Sequence, residues 1–421
     1  MSQIRTIKGT HDILPDETDR WQFLEKIIHD IGSMFGYQEI RTPIFEETKL
    51  FSRSVGEDTD IVSKEMYSWK DRDGTDLTLR PELTAPVVRS FIQHSLGTSA
   101  PVQRLYYIGP SFRRERPQKG RQRQFHQFGF EAFGSGNPEQ DAEIIAIAWQ
   151  ILSELKLNES TALQLNSIGS KDCRMAYREA LKEFIRPNLD QFSEISRKRF
   201  NTNPLRIMDT KTAHEKKILE GAPSISEFYS DEDTRHLESV QNFLSVMNIP
   251  FGFNPGLVRG LDYYTRTVFE FTSDLLGAQD ALLGGGRYDN LVETLGGRYT
   301  PGIGFAAGME RFLMVMKGSG QKSTISKAFI YFVCSNEEIL PTALFLSDGL
   351  RKAGFSVITD PLRRSMKAQM REANKLNARY ALILGDTEVE QNTIQVKDLK
   401  VGDQVSISQS DLIHHFQHLT K

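Results

Sequence analysis

Apolar residues recur at helical spacing through WQFLEKIIHDIGSMF (21–35), after acidic residues at Asp16, Glu17 and Asp19, and Gly36 ends the run. The following YQEIRTPIFEE reads as a strand interrupted by Pro43, a residue suited to sheet edges and interfaces. Further strands are predicted at DLTLR (76–80), VQRLYYIG (102–109), RQFHQFGFEAFG (123–134) and TALQLNSIG (161–169), with helices over 84–93 and 140–155. From about 170 to 249 the pattern is polar and largely helical, which marks an insertion. Strands resume in VRGLDYYTRTVFEF (258–271), ALLGGGRYDNLVETLG (281–296) and PGIGFAAGMERFLMVM (301–316).

Helices of variable length join these strands without steady β-α-β alternation, so the predicted fold class is α+β with a mixed or antiparallel sheet. The stretch KGSGQKSTIS (317–326) has the composition of a linker. Beyond it KAFIYFVC, FSVITD and ARYALILGD read as strands, with EEILPTALFLSDGLRKAG and SMKAQMREANKLNA as helices between them. The strand pair NTIQVKDL and QVSISQ and a last helix, DLIHHFQHL, complete the chain. This alternation predicts a small α/β domain with a partly parallel sheet. The expected organisation is a core over 1–169 and 250–318, a helical insertion over 170–249 and a C-terminal domain over 326–421.

Bulk composition narrows the possibilities. The 421 residues are 39% hydrophobic and 25% charged, with a net charge of -3, so any nucleic-acid contact must rest on local patches. Two cysteines, Cys173 and Cys334, without CxxC spacing argue against a disulfide framework or a structural zinc site. A polar N-terminus and the lack of a long apolar run predict a cytoplasmic protein with no membrane partner. No GxxxxGK[ST] loop occurs, which excludes a P-loop.

The densest chemistry lies at FRRERPQKGRQRQFHQFGFE (112–131). Six basic residues and one acid, Glu115, fall between Arg113 and Arg123, in a segment broken by Pro117 and Gly120 and flanked by two strands. Arginine there can fork onto phosphate or carboxylate oxygens. A charge run at a hairpin tip is usually just solvated. Here Phe125, Gln127 and Glu131 recur at even spacing on the return strand, which suits a nucleotide or polar ligand better than a core.

Arg80-Pro81-Glu82 ends a strand and Thr84 starts a helix, as a natural N-cap. Glu82 has no structural duty evident from sequence and suits a ligand ammonium group. In LGGGRYDN (283–290) three glycines allow a close backbone approach with Tyr288 beside it, though a tight strand–helix turn accounts for them equally well. In GIGFAAGMER (302–311), glycines at 302, 304 and 308 precede a helix opened by Glu310-Arg311; packing of helix on sheet is the plainer explanation. At the mouth of VRGLDYYTRTVFEF, Arg259, Gly260, Asp262, Tyr263 and Tyr264 crowd where a strand begins.

Together these segments resemble the class II aminoacyl-tRNA synthetases. FGYQEIRTPIFE is similar to their motif 1, FRRE with the basic loop and RQFHQFGFE to motif 2, and GIGFAAGMER to motif 3. VRGLDYYTRTVFEF and ALLGGGRYDNLV resemble signatures of the histidyl-tRNA synthetase family. The resemblance implies a class II synthetase-like antiparallel sheet with flanking helices and an anticodon-binding C-terminal module. It also implies histidine activation by ATP, transfer to tRNA, and a homodimer. Arg259 and Arg113 would be catalytic. Histidine would meet Glu82, Thr84, Arg113, Gln127, Glu131, Arg259, Tyr263, Tyr264 and Tyr288. ATP would meet Arg113, Glu115, Arg121, Phe125 and Arg311, with Phe125 and Arg311 sandwiching the adenine. Arg116, Gln118 and Lys119 are candidates for the tRNA acceptor end.

Magnesium would enter with ATP, and no protein-held metal is implied. Asp262 has no assigned role. A synthetase-like regulatory subunit of ATP phosphoribosyltransferase is the alternative, disfavoured because Arg113, Arg259, Arg311 and a C-terminal domain are all present. A tRNA sensor on the same fold would sit in a longer, kinase-bearing chain.

Overall fold

The computed structural model describes residues 3–56, 59–117, 120–208, 210, 212–259, 261, 263–277, 280–319 and 329–419. The chain divides into two compact units, Met1–Lys322 and Ser323–Lys421. Residues 320–326 of the expected linker lie outside the described residues, and Lys317 and Gly318 close the helix Met309–Gly318.

In the first unit the strands are β1 (Gln38–Glu39), β2 (Phe45–Glu47), β3 (Tyr67–Lys70), β4 (Asp76–Leu79), β5 (Gln103–Phe112), β6 (Gln124–Phe133), β7 (Ala162–Ser167), β8 (Gly252–Phe253), β9 (Thr265–Thr272), β10 (Ala281–Arg287) and β11 (Gly302–Gly308). Eight of them form one sheet in the order β1-β5-β6-β11-β10-β9-β7-β8, and β2-β4-β3 form a second. The large sheet is antiparallel except at its edges, where β1 pairs parallel with β5 and β8 with β7. The stretch around Pro43 does not make one interrupted strand. Proline has no N–H and constrains its predecessor, so the chain leaves the large sheet after β1 and joins the small one at β2.

Alternation along β6 sorts its two faces. Phe128 and Phe130 point into the main core, where Tyr106, Phe130 and Phe305 stack with centroids 5.4 and 5.5 Å apart. Helices Pro15–Met34, Pro138–Glu154 and Asp231–Val246 supply Leu24, Ile28, Ile147, Ile151, Val240 and Leu244 to that core. The first begins at Pro15, earlier than its apolar pattern, with Asp16 and Glu17 in its first turn. Within 170–249, helices Lys171–Ile185, Glu194–Thr202 and Ala213–Leu219 enclose a smaller cluster that includes Tyr177, Leu181, Ile185 and Ile207. The helix Thr48–Val55, which buries Leu50, Phe51 and Val55 on one face, and strand β3 are too short for their patterns to stand out in sequence and were not anticipated.

The second unit holds β12 (Phe329–Cys334), β13 (Ser356–Thr359), β14 (Tyr380–Leu384), β15 (Thr393–Asp398) and β16 (Gln404–Ser408), in the order β13-β12-β14-β15-β16. The first three run parallel and the rest antiparallel, so the sheet is partly parallel as expected.

Candidate active site

Phe125, Gln127 and Glu131 of β6, together with residues of β10 and β11, form the floor of a cavity of about 280 Å³. Glu82, Thr84, Arg113, Glu115, Arg121, Phe125, Gln127, Glu131, Arg259, Tyr263, Tyr264, Tyr288 and Arg311 all line it. Arg116 does not and is exposed, while Gln118, Lys119 and Asp262 lie outside the described residues.

At the closed end Glu131 is 1% exposed and accepts hydrogen bonds from Thr84 Oγ1 (2.8 Å), Tyr107 Oη (3.2 Å) and Tyr288 Oη. Burial pushes its carboxyl up to about 8, against the opposing pull of those donors. At neutral pH this group is therefore largely a neutral acid. Two glycines make the geometry possible: a Cβ on Gly304 would overlap the Glu131 carboxylate, and one on Gly129 the Tyr107 hydroxyl. Tyr263 packs on Tyr264 and Tyr288, with centroids 4.7 and 5.6 Å away.

Three expectations are overturned at this end and beside it. Thr84 does not cap the helix Thr84–Gln93 with its side chain. Glu82 does have a structural duty: its carboxylate accepts the N–H groups of Thr84 (2.7 Å) and Ala85 (3.0 Å), satisfying orphan donors at the helix start. Likewise, the three glycines of 284–286 lie within β10, not in a strand–helix turn. A Cβ on Gly284 would overlap the Arg259 guanidinium, and one on Gly285 would overlap the Gly304 carbonyl.

The open end is cationic. Arg113 donates from Nε to Pro81 O (2.9 Å), lies 5.2 Å from the Phe125 ring centroid, and stands 3.8 Å from Glu115. Arg121 pairs with Glu115 at 3.1 Å. Arg311 reaches Gly120 O (3.4 Å) and Ala281 O. Arg259 is ion-paired with Glu270, a residue on the β9 face opposite Phe269 and Phe271. Sequence reading missed Glu270, although its alternation was a usable signal. It also missed Glu310 as an acceptor: its carboxylate takes the backbone N–H (2.9 Å) and approaches Nδ1 (3.1 Å) of His126.

Behind the floor, Arg287 is fully buried and donates to both oxygens of Asp141, to Asp289 (2.9 Å) and to the carbonyls of Ser135 (2.9 Å) and Asn137 (3.2 Å). Asp141 also meets Thr267 Oγ1 (2.6 Å) and His236 Nε2 (2.7 Å). This network fixes the end of β10 that carries Tyr288.

A family model described as Histidyl-tRNA synthetase matches residues 9–312, a span that contains every residue of this cavity. The chain belongs to the histidyl-tRNA synthetase family. A second model, Anticodon binding domain, matches residues 327–419. Relatives in this family include Histidine--tRNA ligase of Chloroherpeton thalassium, 46% identical over 419 residues, covering 99% of this chain and 98% of that protein. The enzyme of the same name from Bacillus subtilis is 46% identical over 97% of both chains. The crystal structure of apo S. aureus histidyl-tRNA synthetase superposes with a TM-score of 0.85 at 36% identity, covering 98% of this chain and 100% of that one.

Proposed function

We propose that this chain is a histidine–tRNA ligase. A carboxylate oxygen of L-histidine attacks the α-phosphorus of ATP, the bond to the bridging oxygen breaks, and diphosphate leaves. The 3′-terminal ribose hydroxyl of the tRNA then attacks the acyl carbon, loses its proton, and AMP departs. The observation that carries this reading is the polarity of one cavity: a buried end at Glu131, ringed by the hydroxyls of Thr84, Tyr107 and Tyr288, and an arginine-rich end at Arg113, Arg121 and Arg311.

In this reading the imidazole sits between Glu131 and Tyr264, with Tyr263 and Tyr288 closing around it, and Gln127 and Thr84 face the α-ammonium. Glu82 acts on that ammonium only through its charge, since backbone N–H groups already occupy its oxygens. A side chain lacking ring nitrogens leaves buried groups unpaired, and such rejection reaches roughly 10⁴–10⁵-fold without editing. Arg113 holds the histidine carboxylate and the α-phosphate. Phe125, Glu115 and Arg311 take the adenine, and Arg121 the terminal phosphates. Arg259, held by Glu270, stabilises charge that builds on the α-phosphate.

Magnesium belongs to the ATP phosphates in this scheme. Glu82, Glu115 and Glu310 are already engaged by backbone N–H groups, arginines and His126 respectively, so they do not fit a resident metal, and no step is drawn through one. The exposed Phe45 and Trp69 on the small sheet, with Ile44 just before it, are the face we assign to a homodimer. Among the described residues no helix is long and apolar enough to cross a membrane; we place the enzyme in the cytoplasm.

The test is histidine-dependent exchange of labelled diphosphate into ATP without tRNA, run against all twenty amino acids. Exchange with histidine alone is expected. A folded protein that shows none would be a binding or regulatory subunit instead.

A further inference from the structure

The chain ahead of the first helix crosses the basic loop of the cavity. Thr10 closes a turn there, donating to Ile7 O from its N–H (2.9 Å) and its hydroxyl (2.7 Å), and Ile13 packs against the main core just beyond. Within the turn, Gly9 O accepts the N–H of Arg123 (2.7 Å) and, at longer range, that of Gln124 (3.4 Å). Arg123 O in turn accepts the N–H of Arg113 (2.9 Å). Backbone hydrogen bonds thus run from Gly9 through Arg123 to Arg113. His11 adds a side-chain contact, with Nδ1 2.8 Å from Gln122 Oε1. Gln122 lines the cavity with Arg121 and Phe125, whereas Gly9 and His11 stand outside its lining.

Position 9 demands glycine. Its φ of +91° disfavours any L side chain, and a Cβ would lie 2.8 Å from Arg123 Cγ and 2.9 Å from Pro117 Cγ. Those two residues belong to opposite limbs of the basic loop, so relieving the overlap must move one limb. Arg113 keeps a separate anchor in Pro81 O (2.9 Å).

We infer that Gly9 and His11 are positioning residues for the ATP end of the site. They hold residues 121–125 so that Arg121 and Phe125 meet the nucleotide. This rests on the reading of the cavity proposed above, in which histidine occupies the Glu131 end. The two substrates should therefore respond differently when the contact is cut.

Diphosphate exchange is measured against each substrate in the full chain and its variants. KM for ATP should rise about tenfold in Gly9→Ala, from backbone strain and displacement of the loop. In His11→Ala, which serves if Gly9→Ala does not fold, the rise should be about threefold, as befits one exposed hydrogen bond. KM for histidine and the urea midpoint should stay at the parent values in both. His11→Asn, whose amide nitrogen is bonded to Cγ as Nδ1 is, should restore ATP affinity. His11→Ala should change nothing further in a chain that already carries Gln122→Ala. Without substrates, the Arg123 amide should exchange its hydrogen faster in Gly9→Ala than in the parent. Equal rises in both KM values, additive effects of His11→Ala and Gln122→Ala, or unchanged exchange at Arg123 would each overturn the inference. Absence of diphosphate exchange in the parent would sink the reading of the cavity instead, and amide exchange would still decide whether Gly9 holds the loop.

Discussion

Glu131 and Asp141 are buried carboxylates within the first unit, at 1% and 0% exposure, and their surroundings send them in opposite directions. Around Glu131 every donor is a neutral hydroxyl, so burial dominates and the acid is pushed up to about 8. At Asp141 burial also pushes upward, but the Arg287 guanidinium and the His236 contact outweigh it and hold the carboxyl below its ordinary value. One region has its cation built in and is finished as structure. The other lacks one and is suited to a ligand that brings positive charge or N–H groups. Burial alone does not tell a structural acid from a functional one; the fixed counter-charge does.

The largest effect should come from removing the finished region's acid. Asp141→Ala leaves Arg287 buried without its main partner, which should destabilise the first unit by about 3–5 kcal/mol. Urea unfolding reads this directly, and a loss below about 1 kcal/mol would show that Asp289 and the carbonyls suffice for Arg287.

Glu131→Gln should do the reverse. Stability should hold or rise, because a neutral amide replaces an acid that burial already disfavours. Histidine-dependent exchange should fall roughly 100-fold in kcat/KM, equal to about 2.7 kcal/mol of transition-state stabilisation. Unfolding as severe as that of Asp141→Ala would place Glu131 among the structural acids and end the contrast.

These two regions also differ in how much of them could be read from the sequence. Phe125, Gln127 and Glu131 lie on one strand, where a period of two announces a shared face before any fold is known. Asp141 sits in an apolar helix, and its partners His236, Thr267 and Arg287 are 95, 126 and 146 residues away. No local pattern encodes such a meeting. Glu82 shows the intermediate case. Its neighbourhood was correctly marked as a helix start, but the capping acceptor was sought in Thr84, two residues too late. The split at Pro43 was missed for a related reason: proline announces a break, but only packing decides which sheet receives each half.

Acidity separates the regions more gently. With a folded value near 8 and an ordinary value of 4.5, Glu131 is protonated in the folded chain and ionised in the unfolded one between those limits. The folded state thus binds more protons there, so stability falls as pH rises, by at most about 1.4 kcal/mol per pH unit from this group. Denaturation of the parent and of Glu131→Gln between pH 5 and 8 should give curves that diverge with that sign. Parallel curves would mean that Glu131 is ionised in the folded protein, like Asp141.

The finest comparison applies one chemical deletion to both acids. Thr84 donates to Glu131 at 2.8 Å and Thr267 to Asp141 at 2.6 Å, and valine replaces either with little change of shape. A hydroxyl bonded to a neutral acid is worth about 0.5–1.5 kcal/mol, and one bonded to a charged acid about 1.5–3 kcal/mol. Thr267→Val should therefore cost about 1 kcal/mol more in urea unfolding than Thr84→Val, with histidine affinity nearly untouched. Thr84→Val should instead weaken histidine binding, because the ligand would draw Glu131 toward its ionised form just when a donor to that form is missing. Calorimetry in buffers of different ionisation enthalpy checks the premise, since a neutral imidazole whose N–H meets ionised Glu131 should release a proton on binding near pH 7. Equal stability costs, with no proton released, would give both carboxylates the same charge and leave the arginine beside Asp141 without the discriminating role assigned to it.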